Sequence, residues 1–498
     1  MKHSMHLAAL LADIVDTGAA ADCLISGLNL DSRSIVAGEA FVALRGSRTH
    51  GIRFADAAVE RGAAVVLAEG EAATSETAAL ETASLDIPVI WIADLRARLG
   101  ELAARFFGEP AEALQVIGVT GTNGKTSTVQ LLAQALNSLQ QCCATIGTLG
   151  AGFDGVLQAA ERTTPDVISV QRTLADFRER GASHVAMEVS SHALQQGRVD
   201  AVRIRVGVFT NLSRDHLDYH ATMQEYGAAK QRLFQRPELE VAVVNLDDTF
   251  GRQILAELPS GLRRISYSMQ DTSADVHASA IETTADGLGF VLHTKAGSAE
   301  VRSHLLGRFN VANLLAVAAC LLALECAPAS IASTLAKLDP VAGRMSRLGG
   351  GEFPLLVIDY AHTPDALEQT LHSLRAHCSG LLYCVFGCGG ERDAGKRAAM
   401  GAIAERLSDR VIVTDDNPRG EDGDAIVTAI VSGFHDAVRA EIVRDRAAAI
   451  ARAVNAARAG DVVLIAGKGH EATQEVAGRK LPFDDLHVAR AALEARAC

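Results

Sequence analysis

The sequence predicts an α/β protein of three domains, and three observations lead there. Its 498 residues exceed what one hydrophobic core serves, at about 100 to 200 residues per domain. Short apolar runs ending in glycine or polar residues alternate with Ala- and Leu-rich helical patterns along nearly the whole chain, as in parallel sheets crossed by helices. Two turn-forming stretches divide it, Gly108-Glu109-Pro110 and the segment from Asp339-Pro340 to Gly343-Arg344. The expected domains are residues 1–109, 110–342 and 343–498.

The clearest strand-like runs are 116–120, 184–189, 206–211 and 241–245, followed by 355–359, 381–386, 411–415 and 462–466. In doubly wound sheets ligands gather beyond the carboxyl ends of the strands, so the segments just after these runs are the candidates for chemistry. Apolar residues at 48% and charged residues at 21% are ordinary for a globular protein. A net charge of −13 without a Lys/Arg stripe opposes nucleic-acid binding, although local loops and helix N-termini can still hold an anion. The nine cysteines lack the paired spacing of a zinc site and read as buried small hydrophobes in a reducing compartment. The N-terminus carries an apolar run of six residues, and the longest apolar stretch, 311–324, is short and interrupted by Asn313. Neither suits a signal peptide or a membrane span, so a cytoplasmic protein is expected.

Residues 116–120 read as a buried strand, Gly121-Thr122-Asn123-Gly124-Lys125-Thr126 as a glycine-rich loop, and 127–139, opening on Ser127, as an amphipathic helix. Phosphate binding requires that order. Glycines let backbone N–H groups approach the oxyanions, Lys125 supplies charge, Thr126 can ligate Mg²⁺, and the helix N-terminus adds its dipole. Val119 stands where the general pattern has its first glycine, so the loop is a variant. Glu188 ends another buried strand, where an acid can complete the coordination of a Mg²⁺ held by Thr126 and a nucleotide. The segment 211–220, Asn-Leu-Ser-Arg-Asp-His-Leu-Asp-Tyr-His, packs many donors and ligands into ten residues. Lys230, taken by itself, reads as a lysine on a helix surface.

The loop from Thr120 to Thr126 resembles the nucleotide loop of the Mur ligases and their folylpolyglutamate synthase relatives, and the resemblance runs in order over essentially the whole chain. It implies an N-terminal UDP-binding domain, a P-loop-type central ATPase domain and a Rossmann-like C-terminal domain that binds an amino acid. The ATP site would comprise Gly121, Thr122, Asn123, Gly124, Lys125, Thr126 and Ser127, with Asn310 of Arg308-Phe-Asn310-Val-Ala-Asn313 at the adenine end and Asp359 at the ribose. The resemblance makes Thr126, Glu188 and His216 metal ligands and Lys230 a lysine carbamylated to support the magnesium site. Arg344, in Gly343-Arg344-Met345, would meet the transferred phosphate.

For the acceptor, the resemblance places Leu30, Ser32 and the Ser47-Arg48-Thr49 loop against uridine diphosphate. Thr163, Thr164, Ser190, Gln196 and Arg198 would hold the muramoyl-peptide. In the third domain Gly387 to Arg397, Asp416-Asn417-Pro418-Arg419 and Gly467-Lys-Gly-His-Glu471 each follow a strand. The Asp-Asn-Pro-Arg segment resembles the signature of members that take diaminopimelate rather than lysine. Chemistry agrees, since the distal carboxylate of meso-diaminopimelate suits guanidinium groups, Arg392 and Arg419, and its ammonium suits Glu471. The implied reaction is ATP-dependent addition of meso-diaminopimelate to UDP-N-acetylmuramoyl-L-alanyl-D-glutamate through an acyl phosphate, in peptidoglycan precursor synthesis. A monomer is expected. A lysine-adding ligase, a folylpolyglutamate synthase and a non-catalytic ATP-binding scaffold are the alternatives. They are disfavoured by Arg419, by the long N-terminal region, and by the joint presence of Lys125, Thr126, Glu188, His216 and Lys230 respectively.

Overall fold

The computed structural model describes residues 4–46, 49–71, 85–159, 162–284 and 287–497. Their contacts gather into two compact units, one formed mainly by residues 1–264 and the other mainly by 265–498.

The first unit holds a small parallel sheet of β1 (Gly27–Asn29), β2 (Glu39–Ala43), β3 (Val65–Glu69) and β4 (Val89–Ile92), in that order. Leu28, Val42, Val65 and Leu67 bury one face against the helix Leu95–Phe106, through Leu95, Leu99 and Leu102. The unit also holds β5 (Gln115–Thr120), β6 (Cys143–Gly147), β7 (Gly150–Phe153), β8 (Val156–Gln158), β9 (His184–Glu188), β10 (Ile204–Phe209) and β11 (Val241–Asn245). Their order is β8-β7-β6-β9-β5-β10-β11. From β6 to β11 the pairing is parallel, and β7 and β8 add an antiparallel edge. The core strands are apolar along their length because helices cover both faces of a parallel sheet.

In the second unit β12 (Arg263–Ser268) pairs parallel with β13 (Val276–Thr284), which continues antiparallel to β14 (Gly287–Thr294) and β15 (Gly297–Ser303). The helix α1 (Phe309–Ala323) packs against β13 and is buried at twelve of its fifteen positions, as expected for a helix apolar on all sides. No helix among the described residues is long and apolar enough to cross a membrane. Beyond it lies a sheet of β16 (Ser346–Gly349), β17 (Leu355–Asp359), β18 (Leu382–Phe386), β19 (Arg410–Val413), β20 (Ala440–Ile442) and β21 (Val462–Ala466). The order is β16-β17-β21-β18-β19-β20, parallel except at β16. Leu355, Val357, Cys384 and Phe386 enter one core, while Leu356, Ile358, Tyr383 and Val385 enter the other, the period-two alternation of a sheet covered on both sides. An antiparallel hairpin, β22 (Thr473–Val476) and β23 (Arg479–Pro482), follows.

All eight strand-like runs of the sequence are strands, with ends shifted by two residues or fewer. The cysteines divide differently from expectation: Cys143, Cys320, Cys384 and Cys388 are buried, whereas Cys142 is exposed and Cys23, Cys326 and Cys378 are half-buried. Cys142 lies in the connection before β6, where its backbone oxygen accepts from His184 N at the start of β9 (3.0 Å) while the residue stays exposed.

Candidate active site

The glycine-rich loop leaves the carboxyl end of β5, which lies between β9 and β10. Gly121 has φ +148, and a Cβ there would lie 1.9 Å from Thr210 Oγ1, so only glycine lets the chain turn so close to β10. The residues after β10 brace the loop. Thr122 N donates to Asn211 O (2.8 Å), Asn123 N to Asn211 Oδ1 (2.9 Å) and Thr210 Oγ1 to Asn123 O (2.7 Å). The helix α2 (Lys125–Ser138) starts at the loop's end with Thr126 and Ser127 buried in its first turn. Lys125 Nζ folds back to donate to Gly121 O (2.9 Å) and Thr122 O (2.8 Å).

Lys230 corrects its sequence-only reading as a surface residue. It lies on α3 (Met223–Gln231) but is 1% exposed, because the helix turns this side chain under the loop. Its Nζ donates to Gly121 O (2.7 Å) and sits 4.2 Å from the Tyr226 ring centroid. Burial, and then the Lys125 charge, hold its amine well below the usual lysine range. Tyr226 OH is 3.2 Å from Thr122 Oγ1, and burial pushes this phenol up to about 12.

Glu188 ends β9 at 1% exposure. Its carboxylate accepts from Thr148 N (2.7 Å) and Thr148 Oγ1 (3.2 Å), while its backbone oxygen accepts from Thr164 Oγ1 (2.8 Å). Around it the fold assembles all five residues expected to hold the acceptor peptide. Thr163 Oγ1 lies 3.1 Å from Thr148 Oγ1, Ser190 N donates to Thr164 Oγ1 (3.1 Å), Arg198 NH1 donates to Thr164 O (2.9 Å), and Arg198 Nε donates to Gln196 Oε1 (3.0 Å).

His216 occupies the left-handed region, φ +53, just before a short helix. Its ring packs 4.9 Å from that of His192 and 6.0 Å from that of Tyr226. His192 in turn packs on Tyr219 at 4.1 Å and His220 at 5.3 Å, and His220 Nε2 is 2.9 Å from Ser191 Oγ. Among the described residues no three His, Cys, Asp or Glu side chains form a ready metal cluster. A hydroxyl at Thr126 and a carboxylate at Glu188 are the donors a hard cation takes, and a nucleotide's phosphate oxygens would supply others. The donor set therefore fits Mg²⁺ bound together with a nucleotide.

In the small sheet Ser32 is buried at the start of a 3₁₀ turn capped by Asp31, and Leu30 packs half-buried on the core. Thr49 Oγ1 is buried without a hydrogen-bond partner among the described residues. Ser47 and Arg48 lie outside the described residues.

The second unit carries its own cluster. Asp359, at the end of β17, accepts from Met345 N (2.9 Å), Ala361 N (3.0 Å) and Thr370 Oγ1 (3.3 Å), and burial raises its carboxyl against the pull of Arg344. The Arg344 guanidinium stacks 4.6 Å from the Tyr360 ring centroid, and the His470 ring packs 5.1 Å from the same ring. Asn310 is buried, donating to Leu306 O (2.7 Å) and accepting from Asn313 Nδ2 (2.8 Å). Asp416 to Arg419 follow β19. Gly467 has φ +116, and a Cβ there would lie 2.5 Å from Asp416 Oδ2, so glycine admits the Asp416 carboxylate. Pro418 precedes Arg419, whose φ is +55. Arg419 is fixed by N donating to Glu475 O (2.9 Å) and NH1 donating to Gly390 O (2.7 Å). A Cβ at Gly389 would meet the side chains of both Arg419 and Arg392, at 2.9 and 3.7 Å. Glu471 accepts from Asn417 Nδ2 (2.8 Å) and Lys468 Nζ (2.9 Å).

Three family models match the chain: the Mur ligase family catalytic domain over residues 24–107, the Mur ligase middle domain over 119–321, and the Mur ligase glutamate ligase domain over 343–469. The UDP-N-acetylmuramoyl-L-alanyl-D-glutamate--2,6-diaminopimelate ligase of Xanthomonas campestris pv. campestris (strain 8004) is 54% identical over 99% of this chain and 98% of its own length. The chain belongs to the Mur ligase family. The enzyme of the same name from Ectopseudomonas mendocina (strain ymp) is 51% identical to this Mur ligase, over 95% of it and 96% of its own length. A solved structure of a UDP-N-acetylmuramoyl-L-alanyl-D-glutamate--2,6-diaminopimelate ligase superposes on this Mur ligase with a TM-score of 0.73 at 37% identity, covering 99% of this chain and 100% of that one.

Sequence reasoning about this Mur ligase marked Tyr219 and His220 within the segment 211–220 but missed His192 beside His216, Tyr226 against Lys230, and Lys468 beside Glu471. A signal existed for Lys468, a lysine enclosed by glycines in a strand-ending Gly-Lys-Gly turn, where small neighbours leave room to bury it. His192 carried none, because a lone histidine is more often structural.

Proposed function

We propose that this Mur ligase is an ATP-dependent amide-forming ligase. It joins an amine of meso-diaminopimelate to the D-glutamate side-chain carboxylate of UDP-N-acetylmuramoyl-L-alanyl-D-glutamate. The observation that carries this reading is the arrangement of Arg419 and Glu471: a fixed guanidinium and a carboxylate in one cluster of the second unit, complementary to the two charges of an amino acid group. Names shared by relatives at 51 to 54% identity support it.

A carboxylate oxygen of the acceptor takes the γ-phosphoryl group of ATP, and ADP leaves. The free amine then attacks the carbonyl carbon of the acyl phosphate, phosphate departs from the tetrahedral adduct, and the amine proton is released as the amide forms. No protein nucleophile is needed. The loop Gly121 to Ser127 cradles the phosphates, while Lys125 and Arg344 offset the charge that develops on the transferred group. Asn310 and Asp359 serve the adenine and ribose ends. Thr126, Glu188, His216 and the Lys230 carbamate would hold Mg²⁺, which when bound neutralises phosphate charge. Lys230 suits carbamylation because a buried amine beside another cation is disfavoured as ammonium, and the free amine is the form that adds CO₂. Ser32, Leu30 and the Ser47-Arg48-Thr49 loop take the uridine diphosphate, and the Thr163, Thr164, Ser190, Gln196 and Arg198 wall takes the muramoyl-peptide. Arg392, with Asp416, Asn417, Pro418 and Gly467, completes the amino-acid pocket.

The proposed domains are 1–109, 110–342 and 343–498, in a monomer that works in the cytoplasm without a nucleic-acid partner. Incubation with the UDP-dipeptide, ATP and either diaminopimelate or lysine, followed by mass measurement of the product, tests the reading. A product carrying lysine, or none, refutes it.

A further inference from the structure

Lys468 is 0% exposed although it stands two residues beyond the end of β21, in a polar loop. Its Nζ donates to Asn417 Oδ1 (3.0 Å) and Glu471 Oε2 (2.9 Å). Asn417 Oδ1 also accepts from Glu475 N (3.0 Å), so two donors fix which end of the amide is oxygen. The amide nitrogen is thereby turned to Glu471, donating to the same Oε2 (2.8 Å). Among the described residues, every hydrogen bond to the Glu471 carboxylate falls on Oε2, which leaves Oε1 to a ligand.

We propose that Lys468 is the positioning residue of the amino-acid pocket, aiming Glu471 so that its outer oxygen receives the ammonium of the incoming amino acid. This rests on the functional reading above, which puts an ammonium at Glu471. Lys468 is shut off from solvent and acts through its two partners rather than on the substrate. Burial works to raise the Glu471 carboxyl, yet the Lys468 charge and the hydrogen bonds from Lys468 and Asn417 hold it below the usual range. The other charged or titratable groups around Glu471 are Asp416, Tyr360, His470 and Arg446. Burial keeps His470 below the usual imidazole range, and Arg446 is matched by Asp485 in a pair with both side chains 0% exposed. Lys468 is therefore the cation hydrogen-bonded to Glu471, and its charge also reaches Asp416.

The test compares wild type with Lys468→Met and Lys468→Arg on all three substrates across pH. In Lys468→Met the KM for diaminopimelate should rise about 10- to 100-fold, a range set below that of a fully buried pair because the Glu471 side chain is 33% exposed. The KM values for ATP and the UDP-dipeptide should change less than about twofold. The acidic limb of kcat/KM for diaminopimelate should move to higher pH, since Glu471 without its cation binds a proton more readily. Lys468→Arg keeps the charge and should keep the wild-type limb, which serves as the reading if the methionine variant fails to fold. Equal rises for the three substrates, an unmoved acidic limb in Lys468→Met, or a displaced limb in Lys468→Arg would overturn the proposal. A wild type that makes no diaminopimelate product refutes the functional reading itself, which separates the two failures.

Discussion

Replacing Arg419 by alanine should cost diaminopimelate far more than lysine. The two amino acids share the reacting end, and only diaminopimelate carries the distal carboxylate that a guanidinium recognises. Loss of one partner of a hydrogen-bonded charge pair costs about 2 to 5 kcal/mol. Two features of the structure place Arg419 in that range. Its side chain is 22% exposed and already anchored by the 2.7 Å bond to Gly390 O, so little ordering cost is incurred when the carboxylate arrives. Against this, Glu475 Oε2 lies 3.7 Å from Arg419 Nε and neutralises part of its charge. The lower part of the range follows, about 2 to 3 kcal/mol, or a roughly 30- to 150-fold fall in kcat/KM for diaminopimelate. For lysine, which brings no distal carboxylate to the guanidinium, the change should stay within about threefold. Steady-state phosphate release with each amino acid in wild type and Arg419→Ala measures both ratios. Equal losses would mean that Arg419 supports the backbone contact of its segment with β22 or the acyl phosphate, and the argument for the distal carboxylate would be wrong.

Lys125→Ala should abolish phosphate release while thermal melting stays near wild type, because the charge acts on the transferred phosphoryl group; turnover within a few fold of wild type would remove the loop from the mechanism. Lys230→Ala should lose most activity and regain part of it with added acetate, and labelled bicarbonate should give a carbamate NMR signal in wild type only. An active, CO₂-equilibrated protein without that signal counts against the modification. Asp485→Asn should lower unfolding free energy by about 3 to 5 kcal/mol, since it strands the Arg446 guanidinium in a site where both side chains are 0% exposed. A denaturant midpoint unchanged at constant m value would show that the buried pair is compensated elsewhere.

Local patterns carried most of the fold into the sequence. Strands such as Val462–Ala466 are apolar throughout because both faces are covered, and a run of that kind is visible without knowing its neighbours. The phosphate loop was legible for the same reason, since strand, glycines, lysine and helix are contiguous. Lys230 was not, because its burial is made by Gly121, 109 residues away, and by the Tyr226 ring one helical turn before it. Asn310 illustrates the opposite case. The contiguous segment that carries the resemblance marks it, and the structure engages its amide locally, with Leu306 and Asn313 within four residues of it. Long-range enclosure of a polar group leaves no periodic trace in the chain.

The folded-back side chain of Lys125 has a further consequence for ligand choice. Its ammonium donates to the carbonyl oxygens of Gly121 and Thr122, two acceptors of the loop itself. An arriving ligand must outbid these two acceptors. One weakly charged oxygen exchanges like for like and gains little, whereas a chain of phosphates offers several anionic oxygens and also reaches the N–H groups of the helix start.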